Sequence, residues 1–116
     1  MNRLTLALGV ALATLVAAAP VAARPTTAAA TTVTVQMKEF KFILSKKTVP
    51  HGTVTFRLVN KGTIKHDFKI AGKKSKLIAK GKSGTLTVTL KNGTYPYLCT
   101  VPGHAAAGMK GKLKVT

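Results

Sequence analysis

An all-β fold, a two-sheet antiparallel sandwich, is predicted by three features of the chain. Beyond Thr32, short stretches alternate apolar and polar residues with a period of two. Signals containing Gly, Asn or Pro separate those stretches at short intervals. No stretch beyond Thr32 sustains the 3.6-residue apolar repeat of an amphipathic helix, so there is nothing to build a helical layer from. Spacing of this kind predicts about seven or eight short strands.

The elements follow in order. Val33, Val35 and Met37 alternate with Thr34 and Gln36, and Phe40, Phe42 and Leu44 alternate with Lys41 and Ile43. Val54, Phe56 and Leu58 alternate with Thr55 and Arg57, and Leu86, Val88 and Leu90 with Thr85, Thr87 and Thr89. Residues 94–98 and 110–116 read as the last two strands, the latter with Leu113 and Val115 set between lysines. Thr and Lys on one face and β-branched or aromatic residues on the other describe half-buried strands. Pro50-His51-Gly52, Asn60-Lys61-Gly62, Ala71-Gly72, residues 81–84 and Asn92-Gly93 mark turns, and Asn92-Gly93 between two strand patterns predicts a tight hairpin. The expected core is Phe40, Phe42, Val54, Phe56, Leu58, Phe68, Leu86, Val88, Tyr97 and Leu113. The chain has no tryptophan, so aliphatic packing must dominate that core.

The N-terminus reads as a secretory signal peptide at residues 1–23. Arg3 is the basic flank, residues 4–19 are almost wholly apolar, and Val21-Ala22-Ala23 supplies the small residues of a cleavage site. Ala28-Ala29-Ala30 offers a second site. An uncleaved anchor is the alternative, but the apolar run is shorter than the roughly 20 residues a spanning helix needs. Residues 24–32, rich in Thr and Ala, read as a flexible lead-in, and residues 33–116 as one domain. The protein is thus expected to be exported, periplasmic or extracellular, with no membrane span after cleavage.

Nineteen Lys and Arg against two acids, Glu39 and Asp67, give a formal charge of +17. A field of that sign favours acidic partners and speeds their encounter. Nucleic acid is a poor fit. The lysines near the C-terminus alternate with other residues, as on the wet face of a sheet, and no stacking aromatics are interleaved with them.

Cys99 is the sole cysteine, so no internal disulfide can form. It opens the stretch Cys-Thr-Val-Pro-Gly-His-Ala-Ala-Ala-Gly-Met, which places a thiol, the His104 imidazole and the Met109 thioether on one loop. Trigonal His₂Cys sets with a weak axial Met suit copper that must change oxidation state with little change of geometry. Pro102-Gly103 turns the loop and Gly108 bends it before Met109. A second imidazole must come from elsewhere. His66, after the turn at residues 60–62 and two residues before Phe68, is the candidate. His51, in a turn with no soft donor near it, reads as a surface residue.

With these residues in hand the chain resembles the cupredoxin family, and is most similar to its plastocyanin and pseudoazurin type of small blue copper protein. The likeness rests on Asn60-x-Gly62-x3-His66-x-Phe68 and Tyr97-x-Cys99-x4-His104-x4-Met109, and it extends from about Val33 to Thr116. It implies a Greek-key sandwich with one type 1 copper ion, His66, Cys99 and His104 as equatorial ligands and Met109 as the axial one. It also implies that small apolar residues around His104 (Val101, Pro102, Ala105, Ala106 and Ala107) expose that histidine's edge to a partner. Two departures are visible. Plastocyanin has two residues where four separate Cys99 from His104, a longer spacing shared with azurin. Plastocyanin also has Asn where Asp67 stands.

Zinc would accept Cys and two His but gains little from Met109. A dinuclear copper centre would need a second cysteine. Glu39 reads as a surface residue and only remotely as a replacement axial ligand, and Met37 as core. Asp67 or Thr100 could tie the two ligand loops together; the alternative is a solvated Asp67 beside Lys65. The resulting expectation is a monomeric electron carrier, not an enzyme, serving redox partners with acidic docking surfaces. The alternative is an envelope copper-binding protein for storage or delivery. An oxidase or reductase would require a further histidine cluster, and only His51 is left to supply one.

Overall fold

The computed structural model describes residues 30–116 without a break, together with Gly9, Ala11, Ala13 and Thr14. Apart from those four, the residues of the signal peptide expected at 1–23 fall outside the described residues, as does most of the lead-in. Among the described residues, no helix is long and apolar enough to cross a membrane.

Among the described residues nine strands form two sheets: β1 (Thr31–Lys38), β2 (Lys41–Leu44), β3 (Thr48–Val49), β4 (Gly52–Asn60), β5 (Lys69–Ile70), β6 (Lys73–Lys74), β7 (Ser83–Leu90), β8 (Gly93–Leu98) and β9 (Lys110–Val115). One sheet runs β2-β1-β4-β7 and the other β3-β9-β8-β5-β6. The period-two reading gave the long strands. The two-residue strands β3, β5 and β6 are too short to show a period.

Two expectations about strand pairing are corrected. The sheets are mixed, not purely antiparallel: β1 pairs parallel with β4, Val33 opposite Phe56, and β3 pairs parallel with β9. Parallel pairs arise because the chain crosses to the opposite sheet between the paired strands and returns in the same direction. Asn92-Gly93 is no hairpin. It joins β7 of one sheet to β8 of the other, with Gly93 at φ 154° making the corner.

The core lies between the sheets. Val33, Val35 and Met37 of β1, Val54, Phe56 and Leu58 of β4 and Leu113 of β9 are fully buried. Phe68 is its aromatic hub, with ring centroids 5.0 Å from Phe56, 5.2 Å from Phe42 and 5.3 Å from Tyr97. Such contacts add to the area term, and truncating Phe68 would cost about 3–5 kcal/mol. The hub anchors the chain two residues past His66. Tyr97 in turn lies over Gly111, its register partner on β9, where any Cβ would collide with the ring.

Phe40 does not join this core. It sits in the turn between β1 and β2, 41% exposed, because the alternation of β2 starts only at Lys41. Its ring instead packs edge-on against His104, centroids 5.0 Å apart.

Candidate metal centre

The loop from residue 99 to 109 links β8 to β9 and is closed by its own backbone. Cys99 N–H donates to Met109 O (3.1 Å) and Met109 N–H to His104 O (3.1 Å). His104 N–H donates to Val101 O and Ala107 N–H to Gly103 O, both at 3.1 Å. Gly103 and Gly108 take φ of 83° and 118°, values that side-chain-bearing residues rarely adopt. The two bends expected from sequence are therefore where the glycines stand. A coil this tight turns Cys99 and His104 inward: they are 1% and 7% exposed.

The loop between β4 and β5 carries His66 and is held from outside itself. Buried Asn60 accepts from Gly62 N–H (2.8 Å) and donates through Nδ2 to Ile64 O and Ile78 O, each at 2.8 Å. His66 forms an isolated bridge with Ile78, with Ile78 N–H donating to His66 O at 2.8 Å. Its imidazole is fully buried.

The two loops meet. Nδ1 of His66 lies 3.2 Å from Nδ1 of His104, and Cys99 Sγ lies 3.7 Å from the same His104 nitrogen. One donor atom from each of His66, Cys99 and His104 falls within 4.8 Å of the others, the one such metal-capable group among the described residues. Imidazoles about 2.0–2.1 Å and a thiolate about 2.3 Å from a single ion would have separations close to those 3.2 and 3.7 Å values. The donor set therefore fits a single soft or borderline transition-metal ion. Met109 is brought beside Cys99 by the backbone pairing, with its side chain fully buried. His51 is not brought in: its Nδ1 lies 3.0 Å from Thr116 O, beyond β9.

Both of the chain's acids serve this site. Asp67 Oδ1 accepts from Thr100 N–H (2.6 Å), and Thr100 Oγ1 donates to Asp67 Oδ2. This ties the two ligand loops together, as the sequence suggested it could. Glu39 is not the free surface residue expected. Its Oε1 accepts from Thr63 N–H (2.7 Å) and Ile64 N–H (3.0 Å) and lies 3.1 Å from His66 Nε2. Sequence reasoning missed this because Glu39 stands in a turn more than twenty residues away from the loop it holds. Gly62, which leaves room where a Cβ would come 2.5 Å from Glu39 Oε1, was the available signal.

Electrostatics follow from these contacts. The Thr63 N–H, helped by that of Ile64 and by His66, holds the Glu39 carboxyl down at about 2 from the usual 4.5. Burial pushes the Cys99 thiol up; N–H groups of Asp67 and Val101 pull it down, and the Asp67 carboxylate pushes it up again. A buried thiol beside a carboxylate gives up its proton most readily to a cation that takes its place.

The sequence matches the model of the cupredoxin-like domain family over residues 5–115. The chain belongs to that family. A segment of 37 residues, 31% of this cupredoxin, is 60% identical to Auracyanin-B of Chloroflexus aurantiacus, and spans only 16% of that relative's length. Among solved structures, the dithionite-reduced auracyanin of Roseiflexus castenholzii is similar with a TM-score of 0.64 and 30% identity, over 74% of this chain and 97% of that one. Auracyanin A of Chloroflexus aurantiacus, described as a "blue" copper protein, matches with a TM-score of 0.64 and 28% identity, over 75% of this chain and 99% of that one.

Proposed function

We propose that this cupredoxin binds one type 1 copper ion and carries single electrons between redox partners in the cell envelope. The observation that carries the reading is the convergence of His66 Nδ1, Cys99 Sγ and His104 Nδ1 within 4.8 Å at the join of two braced loops. Two solved relatives that cover nearly their whole length against this chain are auracyanins, one of them described as a "blue" copper protein.

His66 and His104 would hold the ion through Nδ1 and Cys99 through its thiolate, with Met109 as a weak thioether donor. Copper at this position supplies one-electron chemistry by alternating between Cu(I) and Cu(II). The chain's own task is to keep four donors still. The self-closed 99–109 loop, the Asp67–Thr100 tie and the Asn60 hub hold them in one arrangement whichever charge they face, which keeps reorganisation small. Met109 as a fourth donor would leave the ion little room for a substrate, and the only other histidine of the sequence, His51, is turned to Thr116 O instead. That supports a carrier over an enzyme.

His104 is the exit for the electron. The residue is 7% exposed and its ring packs edge-on with Phe40, and Phe40 and Ile64, 41% and 45% exposed, make that end of the molecule apolar. Exposed Lys41, Lys61 and Lys65 adjoin this area in sequence and would steer a partner with an acidic docking surface. The apolar stretch at residues 4–19 supports export, with the mature chain acting as a monomer.

The test is the visible spectrum of the Cu(II)-loaded protein. An intense blue thiolate-to-copper band, absent in Cys99→Ser, is expected; a colourless loaded protein refutes the reading. Fast electron self-exchange with slow copper loss to a chelator is expected of a carrier, and the reverse pattern of a storage or delivery protein.

A further inference from the structure

We propose that Glu39 is the positioning residue for His66, fixing which ring nitrogen carries the proton and adding one negative charge that favours Cu(II) over Cu(I). The proposal rests on the copper reading above for its second half only. Its first half concerns the metal-free protein.

The geometry leaves little freedom. An ionised carboxylate only accepts hydrogen bonds. Glu39 Oε1 takes the N–H groups of Thr63 and Ile64 at 2.7 and 3.0 Å, which pin it from one side. The third group on that oxygen, His66 Nε2 at 3.1 Å, must therefore present a proton to it. A neutral imidazole with its proton on Nε2 has its lone pair on Nδ1, the atom that faces His104 and the Cys99 side of the site. The ligating tautomer is thus set before any metal arrives. His104 Nδ1 then supplies the proton between the two rings.

Composition sharpens the point. The chain has two carboxylate side chains among nineteen basic ones, and Asp67 is occupied by Thr100. Glu39 alone faces a ligand imidazole, and Gly62 leaves its carboxylate the space to do so. A carboxylate on the far nitrogen makes a ligating imidazole more basic and fixes its plane. Thiolate plus carboxylate balance a divalent ion, whereas a monovalent one leaves an excess negative charge in a mostly buried site. Both effects lower the reduction potential. A purely structural Glu39 would only cap the turn at Thr63 and Ile64.

The experiment uses wild type, Glu39→Gln, Glu39→Ala and, as a charge control on the outer face of β7, Thr89→Lys. In the metal-free proteins, ¹⁵N NMR of His66 should show the Nε2–H tautomer alone in wild type and a mixture in Glu39→Ala. In the copper-loaded proteins, Glu39→Gln keeps an acceptor oxygen but loses the charge. It should weaken Cu(II) binding relative to Cu(I) about tenfold, a rise of ~59 mV for one electron, while Thr89→Lys, with the same change in net charge, should not. A wild-type His66 protonated on Nδ1, or a Glu39→Gln potential equal to that of Thr89→Lys, overturns the proposal. Should Glu39→Ala not fold, the wild-type tautomer and the Glu39→Gln potential still decide. The expected tautomer together with a colourless copper-loaded wild type would refute the copper reading and leave the Glu39–His66 assignment standing.

Discussion

The two ligand loops solve the same problem in opposite ways. The loop at residues 99–109 offers three candidate donors within eleven residues and closes itself through backbone bonds among Cys99, Val101, Gly103, His104 and Met109. The loop at residues 60–68 offers one donor, His66. Besides Asn60 at its start, it is held by groups distant in sequence: Glu39 before it, Ile78 and Thr100 after it. A loop with its donors packed into one short segment can carry its own geometry. A loop that contributes one donor must borrow its geometry from the fold.

The comparison can be broken first at the donors. Replacing His66 with Ala should abolish the blue band as completely as replacing Cys99, although the 99–109 loop keeps all three of its donors; a persisting blue spectrum in His66→Ala would mean the second loop is dispensable. Next comes the support. Asn60→Ala removes the side-chain partner of Ile64 O and Gly62 N–H, while Ile78 O keeps the N–H of His66. It should lower the stability of the metal-free protein by about 2–4 kcal/mol, measured by urea unfolding. A loss under ~0.5 kcal/mol would show that this second loop does not depend on the Asn60 contacts. Thr100→Val removes the hydroxyl that donates to Asp67 while nearly conserving volume, and should cost about 1–2 kcal/mol in the same assay.

The smallest effect concerns acid. Glu39 titrates at about 2 in the folded protein and near 4.5 when unconstrained. A depressed carboxylate contributes stability that is fully present above its unfolded value and disappears as pH falls through its folded one. Between about pH 4.5 and 2 the metal-free wild type should therefore lose stability more steeply than Glu39→Gln; parallel acid profiles would contradict the Glu39 contacts.

Legibility in the sequence follows the same division. The approach of Cys99 to His104 was readable because their chemistry and spacing lie in one segment. His66 was readable from the turn before it and the core aromatic after it. The long strands were readable because burial on one face leaves a period of two in β1, β4 and β7. Glu39 was not readable, since nothing within its own turn records that the carboxylate meets Thr63, Ile64 and His66. Phe40 misled for a related reason: it continues the alternation of Phe42 and Leu44, yet the turn ends at it and turns its ring onto His104. The parallel pairing of β1 with β4 is likewise a property of how the chain crosses between sheets, which local pattern does not encode.

The most direct measurement is X-ray absorption at the copper edge of the loaded protein, which counts the atoms around the ion. The account predicts two imidazole nitrogens and one short sulfur bond in wild type, and the loss of one imidazole in His66→Ala. A first shell with no short sulfur, or with a single imidazole in wild type, would contradict the claim that both loops supply donors to one ion.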